Sequence, residues 1–233
     1  MIYELVCFDL DGTLVDSTGD IRAALVHALA AVPPPDVRLD EHALGCAGLG
    51  LPLDEFYALA RPAPHPQAGD DGRRRFIDAY RDYYHAHLLD KTRAFPGVAE
   101  TLELVKPLRA AGLRTAVATT KKTLTAERVL HGLGLAHHFD LILGTEPPMP
   151  HKPAPDLLLE CARRLGRDPQ RGLMVGDTER DVLAGRAAAM RTCGVTYGVL
   201  GVEGLTPHAP DFLVDSFPEL WPLISGSAPA RRR

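Results

Sequence analysis

The chain has 233 residues, with 26 Lys and Arg against 30 Asp and Glu for a formal net charge of −4. That length allows one large domain, or a domain with a smaller insert, to bury a substantial core, and the mild acidity offers no footprint for nucleic acid. Cys7, Cys46, Cys161 and Cys193 are widely spaced, which argues against a disulfide framework or a cysteine zinc site and predicts buried, reduced thiols.

Residues 4–9 read as a strand that runs out at Phe8-Asp9-Leu10-Asp11-Gly12-Thr13-Leu14. Asp9 comes too early for a secretory apolar segment and no apolar run approaches membrane-spanning length, so a cytoplasmic protein with no membrane partner is expected. Helical spacing begins near Ile21, continues through Leu25 and Leu29, and is stopped by Pro33-Pro34-Pro35. From there to about residue 92 the pattern is helical but broken, with a segment near 51–61, a Pro-rich loop at 62–71 and a helix near 72–89.

After Phe95-Pro96-Gly97, helices and strands alternate. Helices are expected at 98–111, 122–132, 154–165 and 179–189, and strands at 114–119, 140–143, 172–176 and 191–196. Such alternation is the pattern of an α/β fold, a Rossmann-like parallel sheet covered on both faces by helices. The helical block is then an insertion after the first strand. The expected domains are an α/β core, 1–16 with 93–233, and an all-helical cap, 17–92.

In an open parallel sheet, ligands bind beyond the carboxyl ends of the strands. Asp9 and Asp11, Thr119 and Thr120, Lys152, and Asp177 all fall there. Two acids suit a cation, a lysine suits an anion and a hydroxyl suits orientation, so together they predict a site for a phosphate ester with Mg²⁺. Each has a structural reading when taken alone. Asp11-Gly12-Thr13 is also a turn signal, Thr178 or Asp177 with Asp181 reads as a helix cap, Thr119-Thr120 could cap the helix near Lys122, and Lys152 between prolines could be an exposed loop residue. Coincidence of all four at strand ends favours the chemical reading.

The strings FDLDGTLVDS (8–17), VATTK (117–121), HKPAPD (151–156) and VGDTERD (175–181) resemble the four ordered motifs of the haloacid dehalogenase (HAD) superfamily. They are most similar to its phosphoglycolate phosphatase-like branch, which carries a helical cap after the first motif. The resemblance spans nearly the whole chain and implies Mg²⁺-dependent hydrolysis of a small phosphorylated metabolite through an aspartyl-phosphate. It makes Asp9 the nucleophile and Asp11 the general acid and base. It gives Mg²⁺ to Asp9, Asp177 and the backbone carbonyl of Asp11, with Asp181 as an acidic partner of the metal site. Phosphate contacts are expected from Lys152, Thr119 and the backbone N–H groups of Leu10 and Thr120. The family usually has Asn where this chain has Thr120, so a side-chain amide near the substrate is absent. Dehalogenase and phosphonate chemistry are disfavoured because those relatives lack the second acid. A sugar-phosphate mutase keeps both acids and stands as the alternative enzyme, and a non-catalytic phosphate-binding module is the alternative of a different class.

Weaker signals remain. The ten histidines, His85-x-His87 and His137-His138 among them, show no third ligand at metal spacing along the chain and are expected at the surface or at caps. Arg73-Arg74-Arg75 reads as a solvated face, and Tyr80, Tyr83 and Tyr84 are expected to pack within the cap. Gly45-x-x-Gly48-x-Gly50 lacks the context of a dinucleotide loop.

Overall fold

The computed structural model describes residues 2–31, 53–59 and 70–227. The triple proline at 33–35, Cys46, the Gly45-x-x-Gly48-x-Gly50 string and most of the loop expected at 62–71 lie outside the described residues. The chain divides into two units, Met1–Asp16 with Arg93–Arg233, and Ser17–Thr92.

The first unit is built on β1 (Leu5–Phe8), whose four residues are all buried. A strand so uniformly apolar must be covered on both faces, which is the condition of a central strand in a parallel sheet. β4 (Arg114–Thr119) and β6 (Gly172–Gly176) flank it in parallel, with Phe8 level with Val117 on one side and Val175 on the other. β5 (Leu141–Gly144) extends the sheet beyond β4, and β7 (Arg191–Val195) and β8 (Phe212–Val214) extend it beyond β6. The order is therefore β5-β4-β1-β6-β7-β8. The chain works outward from β1 first to one edge and then to the other, so the carboxyl end of β1 is the topological switch point, where a crevice opens.

Side chains alternate between the faces of β1. Leu5 and Cys7 join Ala116, Ala118 and Met174 against Leu157, Leu158 and Cys161, which lie on the helix Asp156–Leu165. Phe8 points the other way, edge-on to Phe139 at 6.0 Å between centroids and tilted on Phe217 at 5.8 Å. Truncating such a fully buried ring costs about 3–5 kcal/mol. Cys7, Cys161 and Cys193 are buried free thiols, as expected.

Two short strands went unpredicted, β2 (Val15–Asp16) and β3 (Arg93–Ala94). They pair antiparallel, Val15 with Ala94 and Asp16 with Arg93, tying together the points where the chain leaves the first unit and returns to it. β8 was also missed, being three residues long.

In the second unit the described elements are helices: α1 (Thr18–Ala31), α2 (Leu53–Leu59) and α3 (Asp70–Ala86). α1 buries Ile21, Ala24, Leu25, Ala28 and Leu29, a stripe at helical spacing. α3 buries Phe76, Tyr80 and Tyr84, with the two tyrosines stacked at 5.5 Å. The Asp20 carboxylate accepts from the backbone N–H groups of Lys91 and Thr92 and from Thr92 Oγ1, fastening the start of the unit to its end. Arg73, Arg74 and Arg75 are exposed and pair with Asp54 and Asp71, which agrees with a solvated face.

Candidate active site

Asp9 directly follows β1 at the switch point, and its N–H donates to Val175 O at 2.9 Å, continuing the sheet pattern one residue past the strand. The chain then coils back. Leu10 O accepts from Leu14 N at 2.9 Å and Val15 N at 3.0 Å, and Gly12 takes φ 86°, a left-handed conformation that side chains strain to adopt. The turn reading of Asp11-Gly12-Thr13 is thus correct, and the turn is what places Asp9 and Asp11 at the crevice.

Lys152 lies on the loop after β5 and is 2% exposed, so the exposed-loop reading fails. Its ammonium donates to Asp9 Oδ1 at 2.6 Å, to Asp181 Oδ1 at 2.6 Å and to Ala118 O at 3.0 Å. Three donors meet three acceptors, which is the condition under which a buried ammonium is tolerated. Burial opposes its charge, but Asp181 and Asp9 together hold its pKa above the ordinary lysine value.

Asp181 serves two purposes at once. Oδ1 holds Lys152, while Oδ2 accepts from Thr178 N at 3.1 Å and Thr178 Oγ1 at 2.8 Å, capping the helix Glu179–Ala187. The cap reading is therefore right. With both oxygens engaged, Asp181 is better suited to fixing Lys152 than to direct ligation.

Asp177 follows β6 and is fully buried. Thr13 Oγ1 donates to its Oδ1 at 3.2 Å and Val199 N to its Oδ2 at 2.8 Å. Space for it exists because of two glycines: a Cβ at Gly12 would stand 2.1 Å from Asp177 Oδ2, and one at Gly198 would stand 2.2 Å from Asp177 Cβ. Tyr197, beside Gly198, donates its hydroxyl to Thr13 O at 2.7 Å and rests on Phe95. None of the 197–199 contributions was visible in the sequence, since two of the three work through the backbone.

Asp11 faces Lys121, whose Nζ is 3.2 Å from Asp11 Oδ1. Lys121 closes the string VATTK (117–121), and nothing local in the sequence points it to Asp11. Thr119 ends β4, is buried, and accepts from Lys121 N through Oγ1 at 3.2 Å. Thr120 beside it is half-buried.

Carboxylate oxygens of Asp9, Asp177 and Asp181 lie within 4.8 Å of one another, all buried. Against them stands the single ammonium of Lys152, leaving an excess of negative charge. Burial first, and then the neighbouring carboxylates, push the Asp9 carboxyl up to about 7 and raise Asp177 well above the ordinary carboxylate range. A divalent cation among these oxygens would remove the conflict. Hard oxygen donors of this kind suit Mg²⁺, Mn²⁺ or Ca²⁺ rather than softer ions, so the residues present fit a divalent metal.

Comparisons with known proteins converge on one family. The family described as haloacid dehalogenase-like hydrolase matches residues 6–195. A phosphoglycolate phosphatase of Agrobacterium fabrum is 36% identical over 94% of this chain and 91% of its own length. A probable phosphatase, IndB, of Dickeya dadantii is 34% identical over 93% of this chain and 91% of its own. Among solved structures, one described as "a predicted phosphatase from Clostridium acetobutylicum" superposes with a TM-score of 0.81 at 26% identity, over 97% of this chain and all of that one.

Proposed function

The chain belongs to the haloacid dehalogenase-like hydrolase family and is a phosphoric monoester hydrolase, and from that premise we propose that it is a Mg²⁺-dependent phosphatase of small phosphorylated metabolites such as phosphoglycolate, acting through an aspartyl-phosphate. The observation that carries the reading is the meeting of Asp9, Lys152 and Asp181 at 2.6 Å contacts beside Asp177, at the switch point of the sheet.

Asp9 attacks phosphorus in line: a carboxylate oxygen forms the new O–P bond while the ester O–P bond breaks. The departing alkoxide takes a proton from Asp11. Asp11, now a carboxylate, removes a proton from water, whose oxygen attacks the same phosphorus and breaks the Asp9–phosphate bond. Inorganic phosphate leaves and Asp9 is restored.

An anion must approach an anion, so the rest of the site supplies positive charge and donors. Lys152, already fixed by Asp181, faces the phosphoryl oxygens; Thr119 and the N–H groups of Leu10 and Thr120 donate to them. Lys121 holds Asp11 in position and adds a second cation on the same side. Asp9, Asp177 and the backbone carbonyl of Asp11 are the groups assigned to Mg²⁺, which when bound supplies neutralisation of the transferred charge. The helical insertion is assigned the part of a cap domain that discriminates among leaving groups.

The test is phosphate release from a panel of phosphomonoesters that includes 2-phosphoglycolate. Wild type should turn over only with Mg²⁺, and Asp9→Asn should fall to background while its circular dichroism is unchanged. A fully active, folded Asp9→Asn protein would remove the nucleophile assignment.

A further inference from the structure

The turn Ala136–His138 precedes β5. It therefore lies toward the opposite end of the parallel sheet from Asp9, Thr119 and Asp177, which sit at or beyond the carboxyl ends of their strands. There the structure joins two residues that the sequence left without a third partner. Glu103, on the helix Val98–Ala110, brings Oε1 to 3.5 Å from His137 Nε2 and 3.7 Å from His138 Nε2. The three ligand atoms lie within 4.8 Å of one another. The absence of a third ligand at metal spacing was thus a property of the chain and not of the fold, since Glu103 is 34 residues from His137.

These distances are long for charge-assisted hydrogen bonds, which settle near about 2.7–2.9 Å. They are close to the separation of two ligands on one tetrahedral ion: with metal–ligand bonds of about 2.0–2.1 Å, the tetrahedral edge is about 3.3 Å. The two imidazole rings lie side by side, centroids 3.9 Å apart, with both Nε2 atoms near the same carboxylate oxygen. Lys106 Nζ takes the other oxygen, Oε2, at 3.4 Å, which leaves Oε1 turned to the histidines. Two imidazoles and one carboxylate are a borderline donor set that suits zinc and its first-row neighbours, in contrast to the all-oxygen set at Asp9 and Asp177.

We infer that Glu103, His137 and His138 form a second divalent-metal site, of the zinc class, distinct from the catalytic centre. The ion would hold three protein ligands with water completing the tetrahedron, and would clamp the helix Val98–Ala110 to the turn that leads into β5. Lys106 and Arg109 place positive charge nearby and oppose the ion. Asp140 offsets part of this by holding Arg109 Nη2 at 3.0 Å. The site is accordingly weaker than a closed four-ligand one.

Glu103 and His137 are exposed, so Glu103→Gln and His137→Ala leave the buried core intact and should keep the phosphatase activity of wild type. The test strips the protein with a chelator and titrates Zn²⁺ against a competing indicator in excess Mg²⁺, with melting temperature as a second readout. Asp177→Asn serves as the control for zinc at the catalytic carboxylates. Wild type and Asp177→Asn should each bind one Zn²⁺ at this site with a rise in melting temperature, and both surface variants should lose the rise and bind at least about tenfold more weakly. The proposal is overturned if wild type takes up no Zn²⁺ in excess Mg²⁺, or if either surface variant binds as wild type does.

Discussion

Gly12 and Asp177 are far apart in sequence, yet the Cβ that any other residue would bring to position 12 would stand 2.1 Å from the Asp177 carboxylate. The glycine after the two acids of motif one therefore serves the turn, with φ 86°, and also clears the space into which motif four inserts its acid. Gly12→Ala should displace Asp177 and strain the turn, at a cost of about 1–3 kcal/mol. Chemical denaturation should show that loss, and titration of activity with Mg²⁺ should show a raised requirement for the ion.

Lys152 balances Asp9 and Asp181 in a setting where all three are buried. Lys152→Met keeps the volume and removes the charge, leaving the two carboxylates uncompensated. The metal-free protein should lose about 3–5 kcal/mol, and turnover should fall to background. Mg²⁺ should recover part of the stability and none of the activity, which thermal melts with and without the ion would register.

The raised carboxyl of Asp9 has a pH consequence. Its pKa climbs from 3.8 to about 7 on folding, chiefly through burial. Between those values the folded state holds a proton that the unfolded state has released, so this group's contribution to stability is complete below about pH 4 and is lost as pH rises through about 7. Asp177 shifts the same way. A divalent cation binds the ionised forms and competes with those protons. The gain in melting temperature given by Mg²⁺ should therefore be small near about pH 5 and large near about pH 8. An equal gain at both would contradict a metal held by these carboxylates.

Asp11 is the residue whose loss should separate chemistry from binding. Asp11→Asn retains shape and removes proton transfer, so kcat should drop by about 10²–10⁴-fold with little change in melting temperature. Steady-state kinetics on a substrate with a poor leaving group measures the drop directly. A substrate whose leaving group needs no proton should show a smaller one.

Much of the fold was legible because the physics of a buried parallel sheet is written locally. Leu5–Phe8, Arg114–Thr119 and Gly172–Gly176 are largely apolar strands with Asp9, Thr119 and Asp177 at or just past their carboxyl ends. That form made Asp9, Thr119 and Asp177 candidates, and Lys152 joined them from the loop after Leu141–Gly144. Two-residue strands such as Val15–Asp16 and Arg93–Ala94 have no periodicity to read; they pair only because the chain leaves and re-enters the first unit at one place. The contact of Lys121 with Asp11, the support of Asp177 by Val199 N, and the meeting of Glu103 with His137 and His138 depend on juxtaposition, and no local pattern encodes them.

The central claim is that a carboxylate of Asp9 forms a bond to phosphorus before water does. The stereochemical course at an isotopically chiral phosphate ester tests this most directly, because each in-line displacement inverts the phosphorus. Two displacements, the first by Asp9 and the second by an acceptor alcohol in place of water, predict overall retention in the phosphoryl group transferred to that alcohol. Net inversion would mean a single direct attack and would contradict the account.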